Sequence, residues 1–199
     1  MPVGAIEEGV IVNLTRARAV TNGYMSDEEI QWIAQTASRY ERIVEVGAWT
    51  GRSTLAWLDN TKGNVLVVDE WKGSTEGDLV DILARMGSEW AWREFVYNTR
   101  HSSNLEIMKM ESTLAAELCR EQGRTFQCVF IDASHDYASV KSDIEVWLPL
   151  VESGAVICGH DYRLDSIPGV KQAVDELLPD AQTMLPLDHD HSIWWMTKP

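Results

Sequence analysis

Positive charge is what this sequence most lacks. Its 199 residues carry 17 Lys and Arg against 31 Asp and Glu, a formal net charge of −14. Nucleic-acid affinity rests largely on Lys and Arg neutralising phosphates, so DNA and RNA are not expected partners, and neither are anionic membranes. Long apolar runs are missing too. The longest, at 65–68, falls far below the roughly 20 residues of a membrane span, and the first residues show no basic-then-apolar leader. The chain therefore reads as soluble and cytoplasmic. Cysteine is scarce: Cys119, Cys128 and Cys158 are odd in number and widely spaced, which excludes a disulfide framework or zinc set and leaves buried thiols. Without repeats or a Pro/Gly-rich linker, residues 1–199 read as one domain, with an N-terminal extension and helix over 1–40.

Tryptophan, by contrast, is abundant. Nine of them either fill the core or line a pocket or subunit contact. Ser26 with Glu29 three residues on is a capping-box signature, and Ile30, Ile33 and Ala37 continue at helical spacing, predicting a helix over 27–39. Strand, glycine turn and helix follow at 42–46, 47–51 and 53–58. Further strands are read at 65–68, 105–108, 129–131 and 155–158, with helices at 113–122, 138–148 and 170–178. The strands stop at polar residues: Asp69, Asp132 and the pair His160-Asp161. Segments 182–187 and 192–197 flank a turn and predict a C-terminal antiparallel hairpin. His189 and His191 read as its solvated tip, and Asp143, Glu145 and Glu152 as the wet face of a helix. Residues 73–104 hold helical hints at 79–86 and an aromatic cluster at Trp90, Trp92, Phe95 and Tyr97, an insertion that is either a lid or a packing helix. The alternation predicts an α/β fold: a mainly parallel sheet, helices on both faces, and a ligand crevice at the strands' carboxyl ends.

Two constellations lie on that edge. In the first, glycines at 47 and 51 permit a tight turn at a helix N-terminus, and Asp69 ends the next strand, where a carboxylate takes ribose hydroxyls. The turn lacks the G-x-G-x-x-G spacing of an NAD site. Glu45, two residues before the first glycine, suits a cofactor with a cationic amino-acid end, which favours S-adenosylmethionine.

The stretches 44–54 (VEVGAWTGRST), 68–73 (VDEWKG), 129–137 (VFIDASHDY) with Asp143, and 154–162 (GAVICGHDY) resemble the class I S-adenosylmethionine-dependent methyltransferases. Within them, the chain is similar to the small O-methyltransferase-like family of natural-product and sugar pathways. The resemblance implies a Rossmann-like, doubly wound sheet of seven strands with the last antiparallel. It implies S-adenosyl-L-methionine as cofactor, with Glu45, Gly47 and Gly51 at the methionine moiety, Asp69 at the ribose, and Glu111 or Ser112 near the adenine. Trp49, Ser53, Glu70 and Asp132 complete the expected cofactor contacts. Trp49 departs from the pattern, standing where many relatives have a second glycine.

The second constellation is Asp132, His135, His160 and Asp161. Asp132, His135 or His160 is the candidate base for an acceptor hydroxyl. Asp132, His160 and Asp161 form a candidate set for Mg²⁺ or a similar ion. The competing structural reading makes Asp132 the cap of the following turn and His135 a residue bonded to backbone. The expected activity is methyl transfer to a hydroxyl of a small metabolite such as a sugar or polyketide, with a small-molecule acceptor and a homodimer as partners. Its rivals are a non-catalytic nucleoside-binding or assembly protein, a hydroxylase on the same fold, and an NAD-dependent reductase.

Overall fold

A computed structural model of the chain describes residues 6–7, 9–73, 86–87, 89–163, 167–184 and 193–199. Seven strands, β1 (Arg42–Val46), β2 (Asn64–Val68), β3 (Leu105–Met108), β4 (Phe126–Ile131), β5 (Val151–Gly159), β6 (Gln182–Met184) and β7 (Ile193–Thr197), form one sheet in the order β3-β2-β1-β4-β5-β7-β6. β1 to β5 run parallel, and β7 is antiparallel to both β5 and β6. The strand order reverses between β1 and β4, and the carboxyl ends of those two strands therefore open the crevice.

The parallel strands are apolar on both sides because both sides are covered. Val44, Val46, Leu66, Val68, Val129 and Ile131 pack beneath α5 (Ser112–Glu121), α6 (Tyr137–Trp147) and α7 (Gly169–Leu177). Their alternates Ile43, Val65, Val67, Cys128 and Phe130 face α1 (Thr15–Ala19), α2 (Asp27–Ala37), α3 (Arg52–Leu58) and α4 (Trp90–Thr99). This period-two split is the doubly wound arrangement that the sequence predicts. Trp32 of α2 meets Trp195 of β7 with ring centroids 5.5 Å apart, tying the N-terminal helix to the last strand. No helix among the described residues is long and apolar enough to cross a membrane.

Both expectations for tryptophan hold. Trp32, Trp57, Trp147 and Trp194 are fully buried, while Trp49 and Trp71 line the principal cavity. The three cysteines are free and buried, as expected. Residues 90–99 form a packed helix: Phe95 is buried against Trp71, with centroids 4.8 Å apart. The helical hints at 79–85 and the hairpin tip with His189 and His191 lie outside the described residues. One surface reading is corrected. Asp143 is only 5% exposed and faces a cavity instead of water, and Glu152 lies on β5, paired with Arg42; Glu145 alone of the three is exposed on its helix.

Candidate active site

β1 exits into its turn against β4 so closely that residue 47 must be glycine. Gly47 has φ +86°, and a Cβ there would stand 2.0 Å from the Asp132 carbonyl oxygen. Asp69, at the end of β2, fixes the turn from the other side. Its Oδ2 accepts the backbone N–H of Ala48 (2.8 Å) and of Trp49 (3.1 Å), and its Oδ1 accepts that of Trp71 (2.6 Å). Trp49, Trp71 and Asp161 are the non-glycine residues with positive φ among the described residues, at 49°, 52° and 63°. All three line one cavity. Left-handed backbone at bulky residues persists only where its surroundings over-determine it, and it clusters at functional sites. At Trp49 the conformation is one that a glycine would take without strain, which accounts for the glycine that many relatives are expected to carry there. The indole instead donates from Nε1 to the Asn22 carbonyl (3.0 Å) and packs edge-on to Trp90.

That cavity, about 980 Å³, runs along the carboxyl edge of the sheet. Of the residues expected at the cofactor, Gly47, Trp49, Ser53, Asp69, Glu70, Glu111, Ser112 and Asp132 line it. Glu45 and Gly51 do not. Gly51, at φ +91°, caps α3, and Glu45 sits behind the turn with no exposed surface, its Oε2 accepting from Thr54 and its buried Oε1 without a hydrogen-bond partner. Burial pushes the Glu45 carboxyl up to about 8. The sequence reading missed Gly23, Tyr24 and Met25, which border the cavity just ahead of α2. They carry no motif, and the only available signal was their place immediately before the capping box.

At the other end β4 and β5 deliver the second constellation. His160 is 4% exposed, and both its ring nitrogens face carboxylates: Nε2 lies 2.9 Å from Glu29 Oε1, and Nδ1 lies 3.2 Å from Asp161 Oδ1 and 3.6 Å from Asp132 Oδ1. Burial disfavours the imidazolium, yet Asp161 and Asp132 hold it well above the ordinary histidine range. Glu29 is the glutamate of the predicted capping box. Its Oε2 accepts from Ser26 N (2.8 Å) and Ser26 Oγ (3.0 Å), leaving Oε1 for His160. His135 places Nε2 2.9 Å from Asp161 Oδ2, with 22% of its side chain exposed. The alternative reading of a capping Asp132 is not met: α6 is capped by Asp136, which accepts from Ser139 N (3.0 Å), and His135 is bonded to a carboxylate, not to backbone.

The donor set for a divalent ion differs from the expected one. A protonated His160 between three carboxylates has no lone pair to offer a metal. Asp132, His135 and Asp161 present one ligand atom each within 4.8 Å of one another, a mixed oxygen and nitrogen set that fits a divalent cation.

The fold and the sequence can be set beside known proteins. Among solved structures the chain is similar to an O-methyltransferase from Bacillus cereus in complex with SAH, at 17% identity and TM-score 0.63, over 92% of this chain and 86% of that one. It is also similar to a TDP-rhamnose 3′-O-methyltransferase of calicheamicin biosynthesis, at 12% identity and TM-score 0.57, over 92% of each. At such identities the likeness is one of fold. A search of curated proteins finds no match. A family model described as a methyltransferase domain matches residues 44–162, over half of the chain and the carboxyl ends of β1 to β5. The chain belongs to this methyltransferase domain family.

Proposed function

We propose that the chain transfers a methyl group from S-adenosylmethionine to a hydroxyl of a small, uncharged metabolite. The observation that carries this reading is the charge of the cavity. Among the described residues six acidic side chains line it (Asp69, Glu70, Glu111, Asp132, Asp143 and Asp161) against Arg52, Lys72 and the protonated His160. Such a lining favours a cationic sulfonium and ammonium, and it disfavours the pyrophosphate of NAD and phosphorylated acceptors. S-adenosylhomocysteine in the Bacillus cereus relative agrees with it. When bound, the cofactor supplies a methyl group already activated on sulfur, and the protein's task is alignment.

In this reading Asp69 and Glu70 hold the ribose, the 47–53 turn holds the methionine end, and Gly23 to Met25 close over it. Asp132 is the proton acceptor. Its carboxylate lines the cavity with 22% of the side chain exposed, and burial raises its pKa toward that of a useful base. His160, held on both nitrogens, is a positioning residue that keeps the Asp132 and Asp161 carboxylates in place. Asp132, His135 and Asp161 would hold a divalent ion; Asp132 would then serve as its ligand in place of acting as the base, and the acceptor hydroxyl's pKa would be lowered by the ion.

The test is calorimetric titration with S-adenosylhomocysteine, with and without Mg²⁺. Micromolar binding supports the reading, and tighter binding or metal-dependent turnover that Asp132→Asn removes supports the ion. No binding under either condition sinks the methyltransferase proposal and leaves a binding or assembly role.

A further inference from the structure

We propose that Asp143 is the residue that selects adenine at the base end of the cavity, accepting a hydrogen bond from the purine 6-amino group. This rests on the S-adenosylmethionine reading above. A ribose held by Asp69 at the end of β2 carries its base toward β3, the neighbouring strand, and the residues that follow β3 are Met110, Glu111 and Ser112. Asp143 reaches the same place from α6. It is 5% exposed, lines the cavity, and lies beside the Ser112 hydroxyl, whose polarity favours its ionised form.

The direction in which that hydroxyl can donate is set by a third residue. The fully buried Trp147 donates from Nε1 to Ser112 Oγ at 2.8 Å, and an indole N–H can only donate. The serine proton is thus left for Asp143, and its carboxylate is aimed by a chain anchored in the core. A carboxylate has acceptor capacity beyond that one bond. Among the described residues the basic side chains of the cavity are Arg52 and Lys72, the latter paired with Glu70, and the remaining neighbours at this end are Met110, Thr113, Ala138, Ser139 and Ser142. The floor so built accepts an amino edge and repels a carbonyl edge, which separates adenine from hypoxanthine. Burial pushes the Asp143 carboxyl up to about 6, so it remains an acceptor above neutrality.

The experiment is calorimetric titration at about pH 8, where this carboxyl is ionised. Three probes are compared on wild-type protein and Asp143→Asn: S-adenosylhomocysteine, S-inosylhomocysteine, and the analogue with an unsubstituted purine. Wild type is expected to bind the adenosyl compound about tenfold or more tightly than either of the others. Asp143→Asn, whose amide can present an N–H to a carbonyl, is expected to bring adenosyl and inosyl affinities within about threefold. A preference that survives in a folded Asp143→Asn overturns the assignment while leaving the cofactor reading intact. Should that variant not fold, equal affinity of the wild type for all three probes overturns it as well. Wild-type binding of none of them overturns the cofactor reading and this assignment together.

Discussion

Glu29 provides the sharpest test of how the site is supported. Its side chain has no exposed surface, and its two oxygens serve different parts of the chain: Oε2 the start of α2, Oε1 the ring of His160. Removing one member of a buried ion pair costs about 3–5 kcal/mol, because the remaining charge is left without its partner. Losing the reciprocal cap adds about 1 kcal/mol. Glu29→Ala should therefore cost about 4–6 kcal/mol, and at roughly 2–4 °C per kcal/mol for a chain of this size its midpoint should fall by about 8–24 °C. Ser26→Ala removes only the cap and should cost about 1 kcal/mol. Urea denaturation of both variants, followed by circular dichroism, isolates the His160 share by difference. The pH dependence has a definite sign. Burial pushes the Glu29 carboxyl up, but His160 and Ser26 together hold it below the ordinary range, so its contribution is present above about pH 4.5 and is lost as pH falls through its folded value. A Glu29→Ala variant no less stable than Ser26→Ala would show that the pair contributes nothing and would refute the account of His160 as held from α2.

Three further outcomes follow from the geometry. Trp49→Gly should be about 0.5–1 kcal/mol more stable than Trp49→Ala in urea titration, because both lose the ring and only glycine is relieved at φ +49°; an alanine variant equally stable would contradict the strain. Asp69→Ala leaves three backbone N–H groups without their acceptor and should lower stability by about 3 kcal/mol or more, so its affinity must be read beside a melting curve. Glu45 is neutral when folded up to about pH 8 but ionises when unfolded from about 4.5. Its share of stability is therefore greatest at low pH and declines across that window, by roughly 1.4 kcal/mol per unit. Glu45→Gln should flatten this slope, and a slope unchanged in the variant would mean that the carboxyl ionises normally.

What could be read in the sequence was whatever a short period or a strand end announces. Asp69, Asp132 and Asp161 were legible because each follows an apolar run that ends abruptly at a polar residue, and the chain returns every such end to one edge. Asp143 was not, since a helix face turned to an internal cavity is as polar as one turned to water, and periodicity cannot tell them apart. The cap role of Glu29 was legible from Ser26 alone. Its second role depends on a residue 131 positions away, a separation that no local pattern records. His160 was read as a metal ligand because its neighbours are right for one, and what excludes it is that same distant carboxylate.

Asp69 has a further consequence, which appears on counting lone pairs. A carboxylate offers about four acceptor positions. Three are engaged by the N–H groups of Ala48, Trp49 and Trp71 before any ligand arrives. One remains, whereas the vicinal diol of a ribose brings two protons to donate. On the proposed S-adenosylmethionine reading, the second hydroxyl would turn to the adjacent Glu70, which is paired with Lys72 at the cavity wall. Holding the sugar would then be a task divided between two neighbouring acids, one rigid and already occupied, the other half-buried and drawn from its lysine by the ligand.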